Sequence, residues 1–331
     1  MGSHGAAAGT QAPGRSGASW ALRWGLGVVV ALSIAAGVAR AVGRLPSGDW
    51  HVRPAWIVAS FAALALFQLI HADVWRRMLG ALGSPLPLGP AVGVWSASLL
   101  GRYVPASALM PVIRVGLGRD CGVPGRVVGV TIVYELLLTF ASSILLGAYG
   151  LASLPQLAGH SYRYAFLLAP VAVLAVLHPR VLERVLALAA RRLGRPGLEA
   201  VLPLRTLAAC ILQYAAGFVV AGLGVACFAA GLQPIHASDV AVLAMAYPVG
   251  FAFSLLAFVA PGGLGARELA LAAVAATVVP AALAAAAAVG TRLLQIGVEL
   301  AYTAAARRWV VARTAAVAAP AAARREEVAL T

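Results

Sequence analysis

The sequence predicts an all-α, polytopic integral membrane protein with about six full transmembrane helices, two broken or re-entrant helix pairs, and an inverted repeat as its candidate symmetry. Three observations lead there. Of the 331 residues, 62% are hydrophobic and 11% charged, with a mean hydropathy of +0.90, whereas a soluble chain is about a quarter charged. The apolar residues come in blocks of bilayer length. Two further apolar stretches are interrupted by Gly/Pro clusters that carry arginine, the pattern of helices broken inside a membrane. An ordinary soluble enzyme and a disordered chain are both excluded.

Residues 1–19 are rich in Gly, Ala and Ser without periodicity and are expected to be a disordered leader. Residues 20–313 form the membrane domain, and residues 314–331 are expected to be a disordered cytoplasmic tail. Full crossings are expected at about 22–43, 54–72, 127–150, 164–178, 205–231 and 281–303. The first is too long for the apolar core of a signal peptide and better suits a membrane helix.

Residues 88–118 fit this template poorly. Two apolar runs of about a dozen residues flank Gly101-Arg102-Tyr103-Val104-Pro105, and each run would rise only about 18 Å against about 30 Å of hydrocarbon. Residues 240–279 repeat the idea around Pro261-Gly262-Gly263-Leu264-Gly265. There the first run is long enough to cross, so a re-entrant hairpin and two full crossings both remain open.

All 25 basic residues are Arg, and the net charge is +14. The chain holds neither Lys nor Asn, which points to coding bias toward GC-rich codons. A pI near 11.1 invites a nucleic-acid reading. It is set aside because the arginines lie in short loops between apolar blocks, where they set topology and meet anionic headgroups. Arg180, Arg184, Arg191, Arg192 and Arg195 in the 179–204 loop, and Arg307, Arg308 and Arg313 after the last helix, place these segments in the cytoplasm. Both termini and the expected Arg76-Arg77 loop follow, in a multi-pass protein of the cytoplasmic (inner) membrane. Residues 181–193 read as an amphipathic surface helix or a simple basic loop. Cys121, Cys210 and Cys227 have no CxxC spacing and read as small buried side chains.

Three groups of residues carry the chemistry. At the first break, Gly101 and Pro105 let the chain turn and free backbone amides. Arg102 is there either a loop arginine reaching to the interface or a buried cation aimed at an anion. Tyr103 is an interfacial anchor or a ligand contact, and Arg114 lies downstream. At the second break, Gly262, Gly263 and Gly265 precede a helix start, so free amides and Arg267 suit a phosphate, and Glu268 caps the turn or pairs with an arginine. The third group, Glu135, Arg292 and Glu299, consists of charges inside apolar helices, where charge is costly and marks function or ion pairing. Arg292 and Glu299 are seven residues apart and share a helix face. The assigned substrate-binding residues are therefore Arg102, Tyr103, Pro105, Arg114, Gly262, Gly263, Gly265 and Arg267. Glu135, Glu268, Arg292 and Glu299 balance their charge. His71 and Asp73 form a polar pair at the end of a membrane helix. No nucleophile, metal-ligand or nucleotide-binding motif occurs, so no catalytic residue, metal or cofactor is expected.

In this order the three groups resemble the transmembrane region of lysylphosphatidylglycerol synthases, the flippase domain of the multiple peptide resistance factor, and its stand-alone relatives. Arg102-Tyr103-Val104-Pro105 with Arg114 and Gly122 is similar to the family's first motif, followed by a helix with an acidic residue, here Glu135. Pro261 to Glu268 is similar to its most recognisable motif, and Arg292 to Glu299 to its closing helix. Ala106, Ser107 and Met110 depart from the Gly, basic and Trp residues common after the first motif, which bears on headgroup choice. The chain ends soon after the membrane part, without an aminoacyl-transferase domain. The resemblance implies handling of lipids or lipid-linked molecules in a bacterial cytoplasmic membrane. The expected function is flippase-like transport of an anionic phospholipid or polyprenyl-phosphate-linked lipid, not enzymatic turnover. The alternative is a non-catalytic subunit that scaffolds a glycosyltransferase or other lipid-modifying enzyme. Expected partners are membrane lipids, such an enzyme, or a second copy in a homodimer; nucleic acid is not expected.

Overall fold

The computed structural model describes residues 50–103, 109–152, 179–192, 202–256 and 265–329, with isolated positions between 159 and 175. Among the described residues all regular structure is helical. The helices are α1 (Pro54–Ala81), α2 (Leu88–Leu99), a 3-10 turn (Leu100–Tyr103), α3 (Leu109–Asp120), α4 (Gly125–Ala152), α5 (Pro179–Arg192), α6 (Leu204–Leu232), α7 (Asp239–Leu256), α8 (Ala266–Ala275) and α9 (Ala281–Ala329). Among the described residues, α1, α4, α6 and the Ala281–Arg313 part of α9 are long and apolar enough to cross a membrane. Their outer faces present Val58, Leu136, Leu212 and Leu300, apolar exposure that a lipid bilayer accounts for.

The helices pair antiparallel. Along α1 and α6, Ile57 lies beside Gly231, the Ser60 hydroxyl donates to the Gly224 carbonyl at 2.7 Å, the His71 ring lies on Gly217, and the Gln213 amide donates to Asp73 at 2.9 Å. Small residues let the backbones approach, which substitutes for the hydrophobic driving force missing between helices in lipid. The closest approach is at Gly222, where a Cβ would lie 1.9 Å from the Ala244 carbonyl oxygen of α7. That atom is backbone and cannot swing aside. Gly222→Ala is therefore expected to destabilise the protein by about 1–3 kcal/mol, read as a lowered Tm in nanodiscs; an unchanged Tm would refute this account of the contact.

The neighbours follow a two-fold pattern. The segments α1 to α4 and α6 to α9 have the same plan: a long helix, a hairpin of shorter helices, and a second long helix. α1 packs on α6, α2 packs on α9 as α7 packs on α4, and α3 precedes and touches α4 as α8 precedes and touches α9. With α1 and α6 antiparallel, the exchange of halves is an inversion, in agreement with the candidate inverted repeat.

The two hairpins enter from opposite ends of the bundle. Gly89 at the start of α2 packs on Trp309 in the distal part of α9. α3 returns to the same end, where a left-handed Gly122 (φ 86°) turns the chain into α4. Near the other end, Met245 of α7 packs on Gly150 of α4, and Gly290 of α9 packs on Phe228 of α6. α2 and α3 have 12 residues each, a rise of about 18 Å. α8 has 10 residues, a rise of about 15 Å. α7 has 18 residues, a rise of about 27 Å, so the second hairpin pairs one long arm with one short one.

Several sequence boundaries need correction. α1 runs to Ala81 instead of ending near 72, so Arg76 and Arg77 are helical, not a loop, and His71 and Asp73 lie inside the helix. α4 gains about a turn. The last helix extends past 303 to Ala329, so the segment expected as a disordered tail is helical to that residue. α5 forms where an amphipathic surface helix was expected, with Arg180, Glu183, Arg184, Leu188 and Arg191 exposed. The leader and the crossing expected at 22–43 lie outside the described residues, as does most of 164–178.

Candidate functional site: two hairpin tips on one helix face

Arg292, Gln295 and Glu299 stand at i, i+3 and i+7 on α9 and share one face. Gln295 and Glu299 lie about 21 and 27 Å along the helix from its start, both within its apolar Ala281–Arg313 part. Both hairpin tips converge on this face. Arg102, on the 3-10 turn that ends the first arm of the first hairpin, donates through Nη2 to Glu299 Oε1. The Glu299 side chain is fully buried, and that of Arg102 is 28% exposed. Arg267, at the tip of the second hairpin, donates through Nη2 to Gln295 Oε1 at 3.0 Å. About one helical turn separates the two acceptors on α9.

Arg267 is 8% exposed. Its guanidinium carbon lies 4.4 Å from the centre of the Tyr247 ring and 5.8 Å from that of Phe251, both on α7. The Tyr247 hydroxyl also donates to Gln295 Oε1, at 3.1 Å. Arg267 is placed this way because Gly265 takes a left-handed φ of 107°, starting α8 abruptly with Arg267 in its first turn. The adjacent Glu268 folds back so that Oε2 accepts the Gly265 amide at 3.0 Å, while Oε1 lies 3.7 Å from Arg292 Nε. This amide, expected to face a ligand, is satisfied internally.

A second cluster lies nearer the end from which the first hairpin enters. Arg114 on α3 is fully buried. It donates through Nε to Ser98 Oγ at 2.8 Å and through Nη1 to Glu135 Oε2 on α4. The rings of Trp75 and Trp95 each lie 5.7 Å from its guanidinium carbon. Trp95 Nε1 donates to the other Glu135 oxygen at 3.1 Å, and Trp75 Nε1 to Thr131 at 3.0 Å. Arg114 Nη2 is buried without a hydrogen-bond partner.

The structure thus joins Arg102 to Glu299, Arg114 to Glu135 and Arg292 to Glu268, three pairs that neutralise arginine and carboxylate across the bundle. Arg267 is the exception: among the described residues, no carboxylate lies within ion-pair distance (4 Å) of it, and its hydrogen-bond partner is neutral. The Tyr103 side chain, Pro105, Gly262 and Gly263 lie outside the described residues. The sequence reading missed Gln295, Trp75, Trp95, Tyr247 and Phe251, which complete both clusters. The spacing of Arg292, Gln295 and Glu299 was the signal for Gln295.

No individually curated protein matches the chain. The sequence profile described as "Lysylphosphatidylglycerol synthase TM region" matches residues 20–302, well over half of the chain and including both hairpins and the charged part of α9. A multi-pass membrane protein with a lipid-related role follows from that match and from the apolar helices. The chain belongs to the lysylphosphatidylglycerol synthase transmembrane-region family.

Proposed function

We propose that the protein binds the phosphate of an anionic phospholipid or polyprenyl-phosphate-linked lipid between its two hairpin tips and carries it between leaflets of the cytoplasmic membrane. The supporting observation is Arg267, a buried cation enclosed by apolar helices, with no ion-pair partner among the described residues. Burying such a charge is costly unless an anion joins it, and guanidinium forks suit phosphate. Its neighbour Arg102 is held in reserve by Glu299. Arg292 and Glu268 complete a series of exchangeable partners along α9, so a headgroup can enter as one pair opens and leave as it closes.

Transport is favoured over catalysis because Glu135, Glu268 and Glu299 are each engaged by an arginine, leaving no poised general base among them. The end of the bundle bearing Arg76, Arg77, Arg205, Arg307 and Arg308 is assigned to the cytoplasm. With it go the distal part of α9 and both chain termini.

The test is exchange of fluorescent phosphatidylglycerol across reconstituted vesicles. Loss of one charge-assisted contact amounts to about 1.5–3 kcal/mol, so Arg267→Ala should slow exchange by about tenfold or more while the protein still elutes as a folded species. Exchange at the wild-type rate would overturn this reading in favour of a scaffolding role.

A further inference from the structure

Among the described residues, Arg102, Arg114 and Arg292 each have a carboxylate partner, whereas the hydrogen-bond partner of Arg267 is an amide. Arg114 has Glu135, Arg102 has Glu299 and Arg292 has Glu268, whereas Arg267 has Gln295. Gln295 is 3% exposed and sits between Arg292 and Glu299 on the face of α9 that both hairpins touch. A carboxylate here would make a fourth neutral pair and leave no excess cation.

The hydrogen bonds also fix which way the amide points. Arg267 can only donate, so the oxygen of Gln295 must face it. The Tyr247 hydroxyl converges on that same oxygen. The NH2 of Gln295 is consequently turned away from Arg267 and Tyr247, and is a donor.

We propose that Gln295 is the residue that sets headgroup charge selectivity: it positions Arg267 through its oxygen without neutralising it, and turns its NH2 toward the anionic oxygens of the bound headgroup. A glutamate at this position would fail twice, by cancelling the Arg267 charge and by presenting a second acceptor to an anion. This inference rests on the proposed binding of a lipid phosphate and assigns its specificity to Gln295, which lies within the Arg292–Glu299 stretch but is neither its Arg nor its Glu.

The experiment compares wild type, Gln295→Glu, Gln295→Met and Arg267→Ala in vesicles containing fluorescent phosphatidylglycerol or fluorescent phosphatidylcholine. The readout is the ratio of exchange rates for the anionic and zwitterionic probes. Wild type should favour the anionic probe. Gln295→Glu should bring the ratio down by about tenfold, the worth of one charge-assisted contact. Gln295→Met keeps the length but removes both the oxygen that positions Arg267 and the NH2 donor without adding charge, so it should lower the preference by less than Gln295→Glu. Loss of the ratio with Arg267→Ala but not with Gln295→Glu overturns the role of Gln295 alone. An unchanged ratio with Arg267→Ala overturns the binding site itself. Equal loss in Gln295→Glu and Gln295→Met shows a merely structural residue and also overturns the proposal. The Met arm stands even if the Glu variant fails to fold, because abolition of the preference in Gln295→Met refutes charge as the determinant.

Discussion

Replacing Glu135 with alanine is expected to destabilise the protein by about 3–5 kcal/mol, the cost of leaving a buried charge without its partner. Arg114 is fully enclosed, and Nη2 is already unsatisfied. Without Glu135, only Ser98 and the faces of Trp75 and Trp95 would hold the guanidinium. Cation–π contacts contribute about 0.5–2 kcal/mol each, which does not offset an unpaired buried ion. The Trp95 N–H would lose its acceptor as well. Removing both charges has a different consequence. In Arg114→Met combined with Glu135→Ala, nothing charged remains to be desolvated, and methionine fills the slot between the tryptophans. The double variant should recover most of the lost stability. Thermal unfolding in nanodiscs checks both expectations; a single variant as stable as wild type would show that the pair does not hold α3 against α4.

The sequence announced the hairpins because Gly/Pro clusters carrying arginine interrupt their apolar runs, the pattern of discontinuous membrane helices. The short apolar arms of the first hairpin argued against full crossings, whereas in the second only α8, with 10 residues, is short. Helix ends were less legible, because hydropathy falls wherever charges begin, even when the helix continues. In α1 the charges support the helix: Asp73 accepts from Arg76 at i+3 and Arg77 at i+4, at 2.7 and 2.8 Å, the spacing at which helical side chains meet. Of the site, the arginines and glutamates were visible because an intramembrane charge is rare. Their pairing was not, since which carboxylate serves which arginine depends on how α9 is rotated against both hairpins. Gln295 was overlooked because it is uncharged. The aromatic residues that enclose Arg114 and Arg267 were overlooked because tryptophan, tyrosine and phenylalanine in an apolar run read first as packing.

Arg102→Ala and Glu299→Gln should both slow lipid exchange, yet change lipid retention in opposite directions. The Arg102–Glu299 contact ties the tip of the first hairpin to α9 and offsets one cation near Arg267, whose hydrogen-bond partner is neutral. With Glu299→Gln, the Arg102 guanidinium loses its Glu299 carboxylate and is available to an anionic headgroup alongside Arg267. An added charge-assisted contact of about 1.5–3 kcal/mol strengthens anion binding by roughly ten- to a hundredfold and slows release correspondingly. With Arg102→Ala, the fully buried Glu299 loses its cation. Its negative charge then opposes Arg267, so anionic lipid binds more weakly, and losing the cation beside a buried carboxylate lowers stability by about 3–5 kcal/mol. Native mass spectrometry of purified protein should therefore show more bound phosphatidylglycerol than wild type for Glu299→Gln and less for Arg102→Ala. A purely structural contact would shift retention in the same direction for both variants. Opposite shifts with a common loss of exchange are the signature of a carboxylate that competes with the lipid phosphate for arginine.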